Sequence, residues 1–294
     1  MTDIAHYLHT QGQLIESYLD QLVPLQDGPH HHLFAAARYS LLGGGKRLRP
    51  ILVLATTQIL QGDVKAALTP ACVLEIIHTY SLIHDDLPCM DDDDYRRGKL
   101  TLHKQYTEGH AVLTGDYLLT YAFEVLANAG HLSPTKKIKM ISTLAKRIGS
   151  NGMVGGQAMD LALEGQKISL ETLRMLHQKK TAELLVAALE FGGIISDAEE
   201  EHLERLRQFG ENIGMAFQII DDMLDVTSSQ EKHGCVIASD VTNAKSTYAT
   251  LLGLKDSQDY AEEFYNKALQ ALQGLPFDYS LLIGLANFIL QRKH

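Results

Sequence analysis

Apolar residues recur at intervals of three and four along nearly the whole chain. Leu173, Leu176, Lys180, Leu184, Ala187 and Ala188 are spaced for one face of a long helix, and Leu203, Leu206, Phe209, Ile213, Phe217 and Ile220 for the next. Alternating runs flanked by turn dipeptides are scarce, so no sheet is expected. The pattern predicts helices over about 3–22, 30–42, 50–61, 66–87, 112–129, 134–149, 169–193, 197–228, 242–253, 258–273 and 278–291. Of the seven prolines, Pro50, Pro70, Pro88 and Pro134 fall where these helices should start or stop. No Ser/Pro-rich linker and no fixed repeat interrupts the pattern. The expectation is one all-α bundle domain spanning residues 1–294.

Composition narrows the class. With 294 residues, 45% hydrophobic and 21% charged, the chain can bury a large core and is not a disordered segment. Its formal charge of −10 argues against nucleic acid as a partner. Cys72, Cys89 and Cys235 show no CxxC spacing, which excludes a disulfide framework or a four-cysteine zinc site. The N-terminus has no basic stretch followed by an apolar run, and no uninterrupted apolar run reaches the length of a membrane span. A soluble, cytoplasmic protein without stable membrane insertion is the expectation.

Two carboxylate clusters change the picture. The first runs His84-Asp85-Asp86-Leu87-Pro88-Cys89-Met90-Asp91 and on through Asp92, Asp93 and Asp94. Taken alone, an acidic run is also what a solvated loop looks like. The second, Asp221-Asp222-Met223-Leu224-Asp225, sits inside an apolar helix beside Phe217, Ile219 and Ile220, where uncompensated carboxylates are costly. Asp221 and Asp225 are one turn apart on one face. Asp85 closes a separate apolar helix, and Pro88 breaks the path so that Asp91 can fold back beside it. Hard oxygen ligands of this kind suit Mg²⁺, which is held by one or two carboxylates plus substrate phosphates. Metal of that kind implies a polyphosphate.

Basic residues gather separately. Gly43-Gly44-Gly45-Lys46-Arg47-Leu48-Arg49-Pro50 joins a glycine turn to three bases and a helix start, which suits an anion. The preceding strand and the spacing of a P-loop are missing. His78 lies seven residues before Asp85, two turns along the same face. Arg96-Arg97 follow the acidic loop, and Lys179-Lys180-Thr181 interrupt an apolar helix. A structural turn and scattered surface bases would explain each group singly; together they supply charge for two diphosphates.

The segments LLGGGKRLRP, EIIHTYSLIHDDLPCMDDDDYRRGKLTLH, GGQAMDL, HQKKTAELL, AFQIIDDMLD and AKSTY resemble those of trans-isoprenyl diphosphate synthases, bacterial farnesyl diphosphate synthases (geranyltranstransferases) above all. The similarity runs in order from about residue 30 onward. The resemblance implies an all-α homodimer with a deep cleft, joining an allylic diphosphate to isopentenyl diphosphate by ionisation, alkene attack and proton loss. It implies that Lys46, Arg49, His78 and Arg97 hold isopentenyl diphosphate, and that Arg96, Lys180 and Lys245 grip the allylic diphosphate. Asp85, Asp91 and Asp221 would ligate three Mg²⁺ ions, with Asp86, Asp222 and Asp225 close by. Thr181 and Gln218 would lie beside the developing cation, and Tyr80 with Ser81 would form a floor limiting the product to fifteen carbons.

One segment departs from the family pattern. Cys235 stands where a lysine is expected and Ala238 where a glycine is, with Lys232 a nearby candidate to reach the same phosphate. Rival readings are a geranyl or geranylgeranyl diphosphate synthase, a terpene cyclase or head-to-head synthase, and a weakly active regulatory subunit. A di-iron bundle built on Glu75-x-x-His78 and Glu199-x-x-His202 would leave both aspartate motifs unexplained.

Overall fold

The computed structural model describes residues 3–233 and 246–291, the side chains of 228–233 excepted. The fold is all-α, and its contacts gather into two compact units. The N-terminal unit holds Ala5–Ile141 with Ile194–Ser196; the C-terminal unit holds Ser142–Gly193, the chain from Asp197 on and the first four residues.

In the N-terminal unit, α1 (Ile4–Leu22), α2 (His31–Leu41), α3 (Leu48–Ile59) and α4 (Val64–Asp85) precede a short hairpin of β1 (Tyr95–Arg96) and β2 (Lys99–Leu100). Then come α5 (Leu102–Gln105), α6 (Glu108–Ala127) and the first half of α7 (Pro134–Ile148). Helix α4 is the axis of this unit, packed by α3 and α6, and every residue from Pro70 to Ile77 is buried. Among the described residues it is the one helix long and apolar enough to cross a membrane, yet 72% of that window is buried inside the fold. Asp63 caps it, accepting from the backbone N–H groups of Lys65 and Ala66. Pro70 lies inside α4 rather than at its start. The hydrogen bond it forfeits is outweighed by burial of the surrounding two turns.

The charge at the centre of this unit is paired. Arg47, in a left-handed conformation just before α3, donates to Glu75 Oε1 at 2.6 Å and to the Leu41 carbonyl at 2.8 Å. Both Arg47 and Glu75 are 2% exposed. The hairpin turns through Arg97 and Gly98, both at positive φ (54° and 76°), which matches the twist of a two-residue turn.

The C-terminal unit continues with the second half of α7, then α8 (Met153–Leu163), α9 (Leu170–His177), α10 (Glu183–Ile195), α11 (Glu200–His233), α12 (Tyr248–Leu252), α13 (Leu254–Leu272) and α14 (Ser280–Leu290). Between α9 and α10 the chain makes one π-helical turn, Gln178–Ala182. Close approach from both sides surrounds it. A Cβ on Gly156 of α8 would collide with the Lys180 backbone, and one on Gly214 of α11 would stand 2.6 Å from Ala182 Cβ. Arg147 then ties α7 to α10, donating to Glu183 at 2.7 Å and to Glu190 at 2.8 Å.

The helix expected over 169–193 runs without a break but contains the π turn, whose extra residue leaves no mark on a 3.6-residue period. Helix α8, α5 and the hairpin were not expected at all; α8 starts at the glycine-rich segment 152–156 and the strands are two residues each. Part of the expected helix 242–253, with Cys235, Ala238 and Lys245, lies outside the described residues.

Because Arg47 and Glu75 are buried together, Glu75→Ala should strand a buried cation and cost ~3 kcal/mol or more of stability. Urea denaturation monitored by circular dichroism reads this directly; a loss within about 0.5 kcal/mol, as for a surface change, would show that the pair is not what holds α3 to α4.

Candidate active site

The acidic loop forms as its chemistry predicts. Helix α4 ends at Asp85, and the chain turns at Pro88 so that the Asp91 N–H bonds to the Asp85 carbonyl at 2.9 Å. Asp85 and Asp91 are thereby brought together, each half-buried. Asp86 behaves differently. It is buried and accepts from the Arg96 Nε at 2.5 Å, while Arg96 also reaches Asp93 at 3.1 Å. Burial raises the Asp86 pKa, against the opposing pull of Arg96. Its role in the fold is to hold Arg96.

The bases come together in the same unit. Burial first, then the guanidinium groups of Arg49, Arg97, Arg96 and Arg47, keep His78 well below the usual imidazole range, so it is neutral at pH 7. Arg97 donates to the Gly44 carbonyl and lies flat against the glycine turn. A Cβ on Gly45, which sits at φ +130°, would come within 2.6–2.8 Å of the Arg97 guanidinium. Lys46 is exposed and Arg49 half-buried. Behind the hairpin, an open pocket is lined by Tyr39, Gly43, Thr79, Asp86, Arg96 and Arg97, among others. Arg47, within the same basic run, points into the core instead.

Further down α4, Tyr80 is buried, and burial with a contribution from Asp85 pushes its hydroxyl up to about 12. Its ring meets the edge of His84, centroids 5.9 Å apart and 79° between planes. His84 in turn bonds the Val112 carbonyl at 3.1 Å and lies against Gly115 of α6, where any side chain would collide with it. The Ser81 hydroxyl donates to the His78 carbonyl at 2.9 Å.

In the C-terminal unit, the π turn presents Lys180 and Thr181. Lys180 pairs with Asp160 of α8 at 2.6 Å, a partner that sequence reasoning missed although Asp160 stands in the GGQAMDL segment. Thr181 donates to Gln218 Oε1 at 2.7 Å, Gln218 Nε2 to Asp222 Oδ1 at 2.9 Å, and the Tyr248 N–H to Asp222 Oδ2 at 2.9 Å. Asp222 is 3% exposed, whereas Asp221 is half-buried and Asp225 exposed on the same helix. Lys245 lies outside the described residues.

The donor set fits magnesium. Asp85 with Asp91, and Asp221 with Asp225, offer carboxylate oxygens alone, and among the described residues no three ligating side chains close on a point. An incomplete oxygen set is what Mg²⁺ takes when water and phosphate oxygens complete its octahedron. The di-iron alternative fails on Glu75, buried against Arg47, and His202, packed edge-on to Phe277 at 5.5 Å.

The description of the polyprenyl synthetases matches residues 30–274. The chain belongs to this family. It is 43% identical over 299 residues to the heterodimeric geranylgeranyl pyrophosphate synthase large subunit 1 of Arabidopsis thaliana, covering 99% of this chain and 80% of that protein. It is 42% identical over 293 residues to the farnesyl diphosphate synthase of Bacillus subtilis (strain 168), covering 99% of each. A geranyltransferase of Helicobacter pylori complexed with magnesium and isoprenyl diphosphate superposes with a TM-score of 0.86 at 36% identity, over 99% of this chain and 97% of that one. As a polyprenyl synthetase the protein is a prenyltransferase condensing an allylic diphosphate with isopentenyl diphosphate, and its family relations support the use of Mg²⁺.

Two predictions follow from this geometry. Gly45→Ala must push the Arg97 guanidinium aside, so the KM for isopentenyl diphosphate should rise about tenfold, in line with one lost charged hydrogen bond, while the allylic KM stays within about twofold. Equal changes in both would mean that the glycine turn and Arg97 do not serve one substrate. His177, buried just before the π turn, has its pKa lowered to about 3, chiefly by burial. Below its ordinary pKa of about 6.5 the unfolded chain takes up a proton that the folded chain refuses, so stability should fall by ~2 kcal/mol from about pH 7 to about pH 5. Denaturation of the parent and of His177→Phe across that range isolates this contribution: the parent should lose that much more than the variant, and parallel losses would exclude it.

Proposed function

We propose that the protein is a farnesyl diphosphate synthase, using dimethylallyl or geranyl diphosphate as primer and stopping at fifteen carbons. The observation that carries this reading is Tyr80. It is five residues before Asp85 on α4, roughly 7–8 Å along the helix axis, and its ring is braced by His84 against α6. A chain growing from a diphosphate held at Asp85 meets that ring early. The Bacillus subtilis relative carries the matching name, and the Arabidopsis thaliana relative names the competing twenty-carbon product.

The protein's own residues divide the work. Arg49, Arg97, exposed Lys46 and neutral His78 hold the isopentenyl diphosphate. Arg96, aimed by Asp86, and Lys180, aimed by Asp160, grip the allylic diphosphate together with Lys245. Asp85, Asp91 and Asp221, with Asp225, would hold the magnesium, which neutralises charge developing on the leaving diphosphate. Three ions are expected with substrate bound. Thr181 and Gln218 face the cation left on the allylic carbon, the alkene of isopentenyl diphosphate forms the new carbon–carbon bond, and a proton leaves. The working protein is a cytoplasmic homodimer. Its departure at Cys235 tunes affinity for the allylic diphosphate rather than the reaction class.

Incubation with isopentenyl diphosphate, each allylic primer and Mg²⁺, followed by chromatography of the dephosphorylated products, tests the reading. The parent should give a fifteen-carbon alcohol, and Tyr80→Ala should shift it to twenty carbons or more, at a cavity cost of ~3 kcal/mol. A parent product of twenty carbons, or a folded variant with an unchanged distribution, places the floor elsewhere.

A further inference from the structure

The hydrogen-bond chain from Thr181 to Asp222 has a direction that its end groups dictate. An ionised carboxylate only accepts, so Gln218 must turn its amide nitrogen to Asp222 Oδ1, at 2.9 Å. The amide oxygen is then left facing Thr181, and an oxygen of that kind cannot donate. Thr181 must therefore give its hydroxyl proton to Gln218 Oε1, at 2.7 Å. Every proton in the chain points toward Asp222. The second Asp222 oxygen takes the Tyr248 backbone N–H at 2.9 Å, a donor that cannot reverse, so the carboxylate is anchored at both ends. The two ends are buried, Asp222 at 3% and Thr181 at 8% exposed, with Gln218 half-buried between them, and a chain of bonds partly withdrawn from water polarises along its length.

We propose that Asp222 is a positioning residue whose charge orients Gln218 and Thr181, so that both present oxygen lone pairs to the ionising allylic carbon. This rests on the prenyltransferase reading above, and it gives Asp222 a different task from the one proposed for its neighbour Asp221: it serves the cation through Gln218 rather than by holding magnesium. The close contact of Gly214 with Ala182 keeps α11 near enough to the π turn for the chain to close.

Asp222→Asn tests it with little change of size. The Tyr248 N–H will keep the new amide's oxygen, so its nitrogen faces Gln218. Gln218 must then flip, and the Thr181 proton turns outward toward the cation. The expected result is a kcat lowered about 10²-fold or more, the size of lost transition-state stabilisation of this kind. Calorimetric binding of Mg²⁺ with a non-ionising allylic thiolodiphosphate should stay within about threefold of the parent, whereas Asp221→Asn should weaken it at least tenfold. Gln218→Met keeps the bond between Asp222 and Tyr248, and so the fold, and should lower kcat comparably. Adding Asp222→Asn to it should cost less than about threefold more, because the two act as one unit. The proposal is overturned if Asp222→Asn weakens magnesium-dependent binding in step with kcat, if the two losses multiply, or if Gln218→Met costs under threefold. A parent that transferred no prenyl group would instead defeat the underlying reading, and this proposal with it.

Discussion

Charge taken out of water needs a partner, and in this protein that constraint decides where the acidic and basic residues of its motifs are placed. A buried ion costs several kcal/mol unless it is met by an opposite charge or by directed hydrogen bonds. Arg47 is met by Glu75, Arg147 by Glu183 and Glu190, Asp86 by Arg96, Lys180 by Asp160, and Asp222 by Gln218 and the Tyr248 N–H. These pairings fix helix positions, and they also sort residues that look alike in the sequence. Three bases run from Lys46 to Arg49, yet Arg47 is buried in the core against Glu75 while Lys46 is exposed and Arg49 half-buried.

The same sorting runs through both aspartate motifs. In each, the second carboxylate of the adjacent pair is buried, while the first is half-buried. Asp86 organises Arg96, and Asp222 organises Gln218. The repetition has a simple helical origin. Adjacent residues lie about 100° apart on a helix, so when one faces an open surface its neighbour faces the packing. A doubled aspartate thus gives one buried and one more exposed carboxylate in the space of two residues. Electrostatic catalysis depends on groups held in place before charge develops, and the buried member provides that hold.

Much of this was legible in the sequence. The 3.6-residue period located α1 to α4 closely, and the fold-back of Asp91 onto Asp85 followed from Pro88 alone. Arg49, His78 and Arg97 were expected from resemblance to share one substrate, and the guanidinium groups of Arg49 and Arg97 lie near enough to His78 to help lower its pKa. What could not be read were features with no local signature. The π turn adds a residue without altering the apolar pattern around it. The pairing of Lys180 with Asp160 joins residues twenty apart, and that of Arg47 with Glu75 joins residues twenty-eight apart. Nothing in the string DDMLD says which of its aspartates faces inward; only the placement of Gln218 and Tyr248 does.

The central claim is this division of carboxylates, and the most direct measurement is crystallographic. Crystals grown with a non-ionising allylic diphosphate and Mn²⁺ in place of Mg²⁺ would show the ions by anomalous scattering. The account predicts peaks at bonding distance, about 2.1–2.2 Å, from the carboxylates of Asp85, Asp91 and Asp221, with Asp86 still on Arg96 and Asp222 still on Gln218. A manganese ion bonded to Asp86 or Asp222 would contradict it.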